Sequence, residues 1–299
     1  MSQTRSPSTQ RRYGLARVCR LWAVARSTVY RRQARPTTPA KPPQKRGPKT
    51  TWTDAELVEK IRAVLAASLF LGEGHRKVWA RLRWQAVRTS KARVLRLMRE
   101  AHLLAPTRVG HAHGPKAHDG TITTEQPDQM WGMDATSCLT RQEGTATVFV
   151  VVDHCASECI GLHAAKPGSR FEAVEPLRLG VRTIFGDYEQ GLAVGLQARH
   201  DHGSQYLSDY FQDELKFLGI MSSPAFVREP EGNGVAERFI RTLKEQLLWV
   251  RTFETVEELR LALLEFKERY NREWLCERHG HQTPAAVRAA LTARVGVAA

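Results

Sequence analysis

The chain has 299 residues, 42% of them apolar and 25% charged, with five cysteines and a formal net charge of +14. That composition supports a folded core and excludes a mainly disordered polymer. No apolar run approaches the length of a membrane helix and no charged-then-apolar leader opens the chain, so a cytoplasmic protein is expected.

The cysteines (Cys19, Cys138, Cys155, Cys159 and Cys276) are odd in number and form no C-x-x-C pair, which fits a reduced compartment. Charge is unevenly distributed. Residues 1–125 hold 26 basic and 7 acidic side chains, a balance of +19, whereas residues 126–299 hold 19 and 24, a balance of −5. A strongly basic front joined to a mildly acidic back points to a polyanion-binding part ahead of a separate chemical part.

Taken in order, residues 1–10 are rich in Ser, Thr and Gln. Leu15, Val18 and Trp22 then recur at helical spacing, a break follows at 23–26, and Ser27 can cap a second helix from Thr28. A helix, a tight turn and a short helix bearing Arg31 and Arg32 fit a helix-turn-helix. A plain helical hairpin with a solvated basic face fits as well. Residues 34–50 are Pro-rich and basic, the composition of a semi-extended linker. Thr53 and Glu56 have the spacing of a capping box. Residues 74–83 form a second helix with Val78 and Leu82 on one side, and a third begins near Ser90 with Val94, Leu97 and Met98 as its apolar stripe. Arg93, Arg96 and Arg99 lie off the centre of that stripe and are candidate phosphate contacts. His111, His113 and His118 fall in a polar stretch beside Asp119 alone among acids, and a linker is the favoured reading over a metal site.

Beyond residue 125 the pattern changes. Met130–Leu139, a β-branched run at Val148–Val152 and a third apolar stretch read as three neighbouring strands, the first carrying Asp134. Residues 169–186 suggest a helix that Pro176 should break or kink. Residues 191–201 read as a fourth strand ending at Asp201. Ser208 and Gly219 bracket a helix, 220–226 a short strand, and a strong helix runs from about Asn233 to Trp249. On that last helix Glu237, Arg241 and Lys244 share a face, while Val235, Phe239, Leu243 and Leu247 suit a core.

Three carboxylates can hold a hard divalent cation without Cys or His ligands. Other acids compete less well. Asp153 fits a turn, and Glu229 and Glu231 sit in a loop that fixes geometry poorly. The string His154, Cys155, Cys159, His163 matches no common zinc spacing. His200 and His202 flank Asp201 and are expected to orient its loop.

The segments Trp131-Gly132-Met133-Asp134, Val152-Asp153-His154, His200 to Gln205 and Asn233 to Phe239, with 35 residues between Asp201 and Glu237, resemble the integrase-like core shared by retroviral integrases and bacterial transposases. With the Tyr270-Asn271 and Thr283-Pro284 pairs, the chain is similar to OrfB-type insertion-sequence transposases over roughly residues 14–290. The resemblance implies an α/β, ribonuclease H-like core, a five-stranded mixed sheet with flanking helices, preceded by small all-α helix-turn-helix modules. It places a D-D-E signature on Asp134, Asp201 and Glu237 and the family's trailing cation on Lys244. Arg238 stands where many relatives carry a small Ser, a departure that bears on DNA contact.

The expected organisation is a helix-turn-helix region at 1–35, a Pro-rich linker at 36–50, a second helix-turn-helix-like module at 51–108, and a linker at 109–125. The integrase-like core with C-terminal helices occupies 126–290, and a tail 291–299. The implied activity is Mg2+-dependent cleavage and strand transfer of DNA, with Mn2+ as a substitute ion. Asp134 would bridge two ions, and Asp201 and Glu237 would complete one each. Lys244, Arg241 and Arg238 would hold the DNA backbone. Expected partners are insertion-sequence ends, target DNA, further copies of the chain on DNA and an upstream-frame transposase subunit, in a bacterial nucleoid-associated setting. Two alternatives stand beside it: a non-catalytic DNA-binding regulator of transposition, and a ribonuclease H-like nuclease that cuts without joining.

Overall fold

The computed structural model describes residues 3–34, 51–106, 122–225 and 230–298. The expected linker 36–50, most of 109–125 with its three histidines, and Glu229 lie outside the described residues, as does the side chain of Glu231. The chain divides into two compact units, 1–49 and 50–299.

In the first unit α1 (Leu15–Leu21) and α2 (Arg26–Gln33) are joined by a turn in which Ala23 has a φ of 51°. The second helix starts earlier than expected, with Ala25 and not Ser27 at its N-cap. The anticipated apolar stripe is not a core: Cys19 is the buried residue of α1, α2 buries none, and Trp22 is 61% exposed. Helices of 7 and 8 residues have too little surface to enclose an indole, and helices this short depend on packing to persist.

The second unit begins with α3 (Asp54–Ala67), α4 (His75–Trp84) and α5 (Lys91–Glu100) around Leu57, Ile61, Val78, Leu82, Val94 and Met98. The Thr53–Glu56 capping box forms in full, and Ser90 caps α5 by accepting from the Arg93 amide. Phe70, in the connection between α3 and α4, leaves this module's core and joins that of the following domain, edge-on to Trp274 at 4.9 Å. Beside it the Gln246 side chain both accepts from the Leu71 amide and donates to the Leu71 carbonyl.

Five strands follow: β1 (Met130–Thr140), β2 (Gly144–Asp153), β3 (Cys159–Ala165), β4 (Gln197–His200) and β5 (Met221–Pro224), in the order β3-β2-β1-β4-β5. The first three form an antiparallel meander, while β4 lies parallel to β1 and β5 parallel to β4. Alternation along β2 sends Val148, Val150 and Val152 to one face and Phe149 and Val151 to the other. The odd-numbered face is covered by α6 (Arg170–Phe185) and, after the single turn α7 (Ser204–Leu207), by α8 (Asp209–Leu218). The even-numbered face is covered by α9 (Gly234–Leu243) and α10 (Val256–Glu273). This helix–sheet–helix sandwich with a mixed five-stranded sheet is the ribonuclease H-like arrangement.

Several expectations need correction. Pro176 neither breaks nor ends α6, which continues to Phe185, because Ala173, Val174, Leu177 and Val181 on both sides of the proline are buried against the sheet. The fourth strand is four residues long, and the glycine-containing stretch before it forms turns. The supposed tail at 291–299 is helical through Ala298, as part of α11 (Pro284–Ala298). A π turn at Lys244–Leu248 extends α9. No helix among the described residues is long and apolar enough to cross a membrane.

The module's attachment loop is fixed by a buried ion pair. Glu73 is 3% exposed and receives two hydrogen bonds from Arg81, at 2.8 and 2.9 Å. Arg81→Ala would strand that carboxylate, and urea denaturation should show a loss of about 3–5 kcal/mol. A change under about 1 kcal/mol would show the pair to be dispensable.

Candidate catalytic site

The parallel pairing of β1 with β4 matches Gly132 to Arg199. Asp134 and Asp201 each lie two residues beyond those partners, Asp134 still within β1 and Asp201 just past the end of β4. Residues two apart on a strand share a face. Asp134 therefore shares the side of Gly132 and Cys138, the face covered by α9 and α10. β4 ends at His200, which opens the sheet where the two carboxylates stand. Glu237 comes from the first turn of α9, which packs on β1 and β2. Its N-cap residue, Asn233, donates from Nδ2 to the Met133 carbonyl at 2.8 Å.

Electrostatics bear out this proximity. The Asp134 carboxyl is pushed up to about 6, first by burial and then by the charges of Asp201 and Glu237, while the Ala135 amide and Lys244 act in the opposite direction. The Glu237 carboxyl is raised by partial loss of hydration, although the side chain reaches solvent. Asp201 is held by the Gly203 amide, which donates to Oδ1 at 2.9 Å. Its loop is oriented by His200, as expected: Nδ1 donates to the Asp201 carbonyl at 2.7 Å, and Nε2 lies 3.0 Å from the Ser222 hydroxyl. That pattern suits a neutral ring, and burial lowers the affinity of His200 for a second proton. The buried Tyr206 ring packs on His200, with its hydroxyl raised by burial and by the charges of Asp134 and Asp201.

The donor set consists of three carboxylates with mutually unfavourable charge, which fits a hard divalent cation. Among the described residues, no three His, Cys, Asp or Glu side chains are already gathered tightly enough to hold one. Asp153 serves its turn, accepting from the Ala156 amide at 2.6 Å and the Asp128 amide at 2.9 Å. His163 pairs with Glu172 at 2.6 Å.

The candidate DNA contacts separate into groups. Lys244 is close enough to Asp134 to favour its ionised form. Arg238 and Arg241 instead line a cleft of about 610 Å³ between α9 and the attachment loop of the helical module. Arg93 and Arg96 both bind Asp54, at 2.6 and 2.7 Å, and Arg96 also reaches Glu100. Together they hold the Asp54 carboxyl at about 2. These two arginines thus tie α5 to the start of α3, a use that spacing along one helix could not reveal. Arg99 is exposed, and Arg31 and Arg32 lie exposed in the last turn of α2.

Sequence reasoning missed Asn233 and its neighbours. A Cβ on Gly132 would lie 2.6 Å from His154 Nε2 and 2.7 Å from Asn233 Oδ1. The glycine therefore permits both side chains to close over β1. The pairing of a buried polar residue with a strand glycine was the available signal.

Two family models match the chain: an HTH-like domain over residues 52–111 and an integrase core domain over 218–284. The transposase InsD of the Escherichia coli insertion element IS2A/D/F/H/I/K is 29% identical over 208 residues, covering 67% of this chain and 68% of the relative. InsD of element IS2-9 from strain K12 is also 29% identical, covering 67% and 66%. Among solved structures, the simian T-cell lymphotropic virus intasome in complex with the PP2A regulatory subunit B56 gamma aligns over 70% of each chain, at 19% identity and TM-score 0.46. The HTLV-2 integrase catalytic core with magnesium aligns over 55% of this chain and 98% of that one, at 16% identity and TM-score 0.41. Residues 218–284 thus match an integrase core domain, and residues 52–111 ahead of it match an HTH-like domain. Over about two-thirds of its length the chain is similar to the InsD transposases of insertion elements.

The raised Asp134 carboxyl gives a test by pH. A carboxyl raised on folding binds its proton more tightly in the folded chain, so ionisation destabilises the fold. The penalty is absent below the ordinary value of 3.8 and fully developed above about 6. In metal-free buffer Asp134→Asn should therefore raise Tm at pH 7.5, and the gain should shrink toward pH 4. A difference in Tm that does not change with pH would contradict this account of the site.

Proposed function

We propose that this protein is a DNA transposase that binds insertion-sequence ends and catalyses cleavage and strand transfer through Asp134, Asp201 and Glu237. The observation that supports this reading is that Asp134 on β1 and Asp201 just past the end of β4 each follow the paired Gly132 and Arg199 by two residues, with α9 bearing Glu237 packed on β1. The three carboxylates would hold Mg2+, with Mn2+ as a substitute. When bound, the metal supplies neutralisation of phosphate charge and activation of the attacking oxygen.

The chain's own groups set up the rest. Burial on β1 fixes the Asp134 side chain. The Gly203 amide fixes one Asp201 oxygen, and the first turn of α9 would supply Glu237 as the third carboxylate. Lys244, whose charge favours the ionised form of Asp134, would meet a phosphate near the scissile bond, while Arg238 and Arg241 in the cleft beside α9 would hold backbone further along the strand. Arg31, Arg32 and Arg99 are further candidate phosphate contacts, and Arg93 and Arg96 are assigned to structure. Two ends must be held for strand transfer, so the working form would be an oligomer of this chain on DNA.

The test uses the full chain with duplex end DNA and Mg2+, following cleavage and joining on gels. The parent should do both. Asp134→Asn and Glu237→Gln should fall to background while binding the same duplex within about twofold. Cleavage without joining would indicate a nuclease. Binding with neither activity in the parent would indicate a regulator. Full activity in either variant would remove the carboxylate assignment.

A further inference from the structure

The catalytic helix begins with a residue whose side chain does something other than cap it. Asn233 occupies the N-cap of α9, a position where Asn ordinarily accepts from a backbone amide in the first turn. Here it makes no cap hydrogen bond. Its Nδ2 group instead donates at 2.8 Å to the carbonyl of Met133, a bond between residues 100 positions apart in sequence, and the side chain is buried. Met133 immediately precedes Asp134. Glu237 lies four residues after Asn233, one helical turn along α9. A single hydrogen bond therefore joins the backbone beside one candidate metal ligand to the helix turn bearing another.

The surroundings are shaped around this bond. Gly132 has no side chain where His154 and Asn233 close over the strand. His154 is itself held from behind, with Nδ1 donating to the Ile122 carbonyl at 2.9 Å. The residue before Asn233 makes a parallel connection to the third element. A Cβ on Gly232 would run into the guanidinium of Arg199, which donates from Nη1 to Ser223 at 3.1 Å. Arg199 lies on β4, two residues before Asp201. The 232–233 dipeptide is thus the place where the elements bearing all three carboxylates meet.

We infer that Asn233 is a positioning residue whose hydrogen bond to the Met133 carbonyl sets the separation of Asp134 and Glu237, and thereby the affinity of the site for its divalent ion. This inference rests on the proposed catalytic reading. It assigns Asn233 no contact with metal or DNA. An interaction that fixes ligand geometry acts on metal affinity, as outer-sphere hydrogen bonds to ligands do elsewhere, where their loss weakens binding about 10–100-fold.

Asn233→Ser separates this role from simple helix capping. Serine is as good an N-cap as asparagine and adds no charge, but it is too short to reach the Met133 carbonyl. The full-length parent and variant are titrated with Mn2+, following the rise in Tm that ion binding produces, and binding to duplex end DNA is measured separately. The half-saturating Mn2+ concentration should rise fivefold or more in Asn233→Ser, with end-DNA binding within twofold of the parent. A rise of less than fivefold would overturn the inference. Should the serine variant not fold, Asn233→Thr, likewise uncharged, also an N-cap residue and too short to reach the Met133 carbonyl, is read by the same criterion. Asp134→Asn and Glu237→Gln are titrated alongside. If neither weakens Mn2+ binding, the catalytic reading itself fails; if they do and the Asn233 variant does not, only the positioning role falls.

Discussion

The site depends on where the parallel pairing of β1 and β4 stops. Up to Gly132 and Arg199 the two strands are held in fixed register, and two residues later stand Asp134, still on β1, and Asp201, just past the end of β4. Had β4 continued as a full-length strand, neighbouring side chains would have filled the space in which those groups stand. The antiparallel pairing of β1 with β2 along its whole length holds the strand in place despite the unfavourable burial of Asp134. The raised Asp134 carboxyl records that tension, and a bound cation is the natural means of relieving it.

Around this constraint the chain distributes its charge in two ways. Part of the basic surplus in the front half is structural: Arg81 neutralises buried Glu73, and Arg93 and Arg96 close on Asp54. Another part remains directed outward, including Arg31, Arg32 and Arg99. The cleft bearing Arg238 and Arg241 is bordered by Glu73 and Glu277, whose charges are met by Arg81 and Arg76 of the helical module. The attachment of that module therefore changes the electrostatic character of the surface next to the catalytic helix.

Much of this was legible from local chemistry. The Thr53 capping box, the Ser90 and Ser208 caps, the Gly219 stop and the β-branched run at Val148–Val152 are signals contained within a few residues, and the structure follows them. The three candidate carboxylates could be named from spacing and family resemblance, although their roles remain a proposal. What was not legible depends on distant partners. Pro176 is carried through α6 by packing against the sheet, and Arg93 and Arg96 meet an aspartate some 40 residues earlier. Trp22 sits at helical spacing in a unit too small to cover it. Asn233 does start its helix, as expected, but its side-chain partner is a strand carbonyl that only the folded chain brings near.

If Asp134, Asp201 and Glu237 form one metal-binding centre that acts on DNA, crystals of the chain bound to its end DNA and soaked in Mn2+ should show anomalous peaks within ligating distance of all three carboxylates and beside a DNA phosphate. Peaks elsewhere, with these three side chains uncoordinated, would rule the shared centre out.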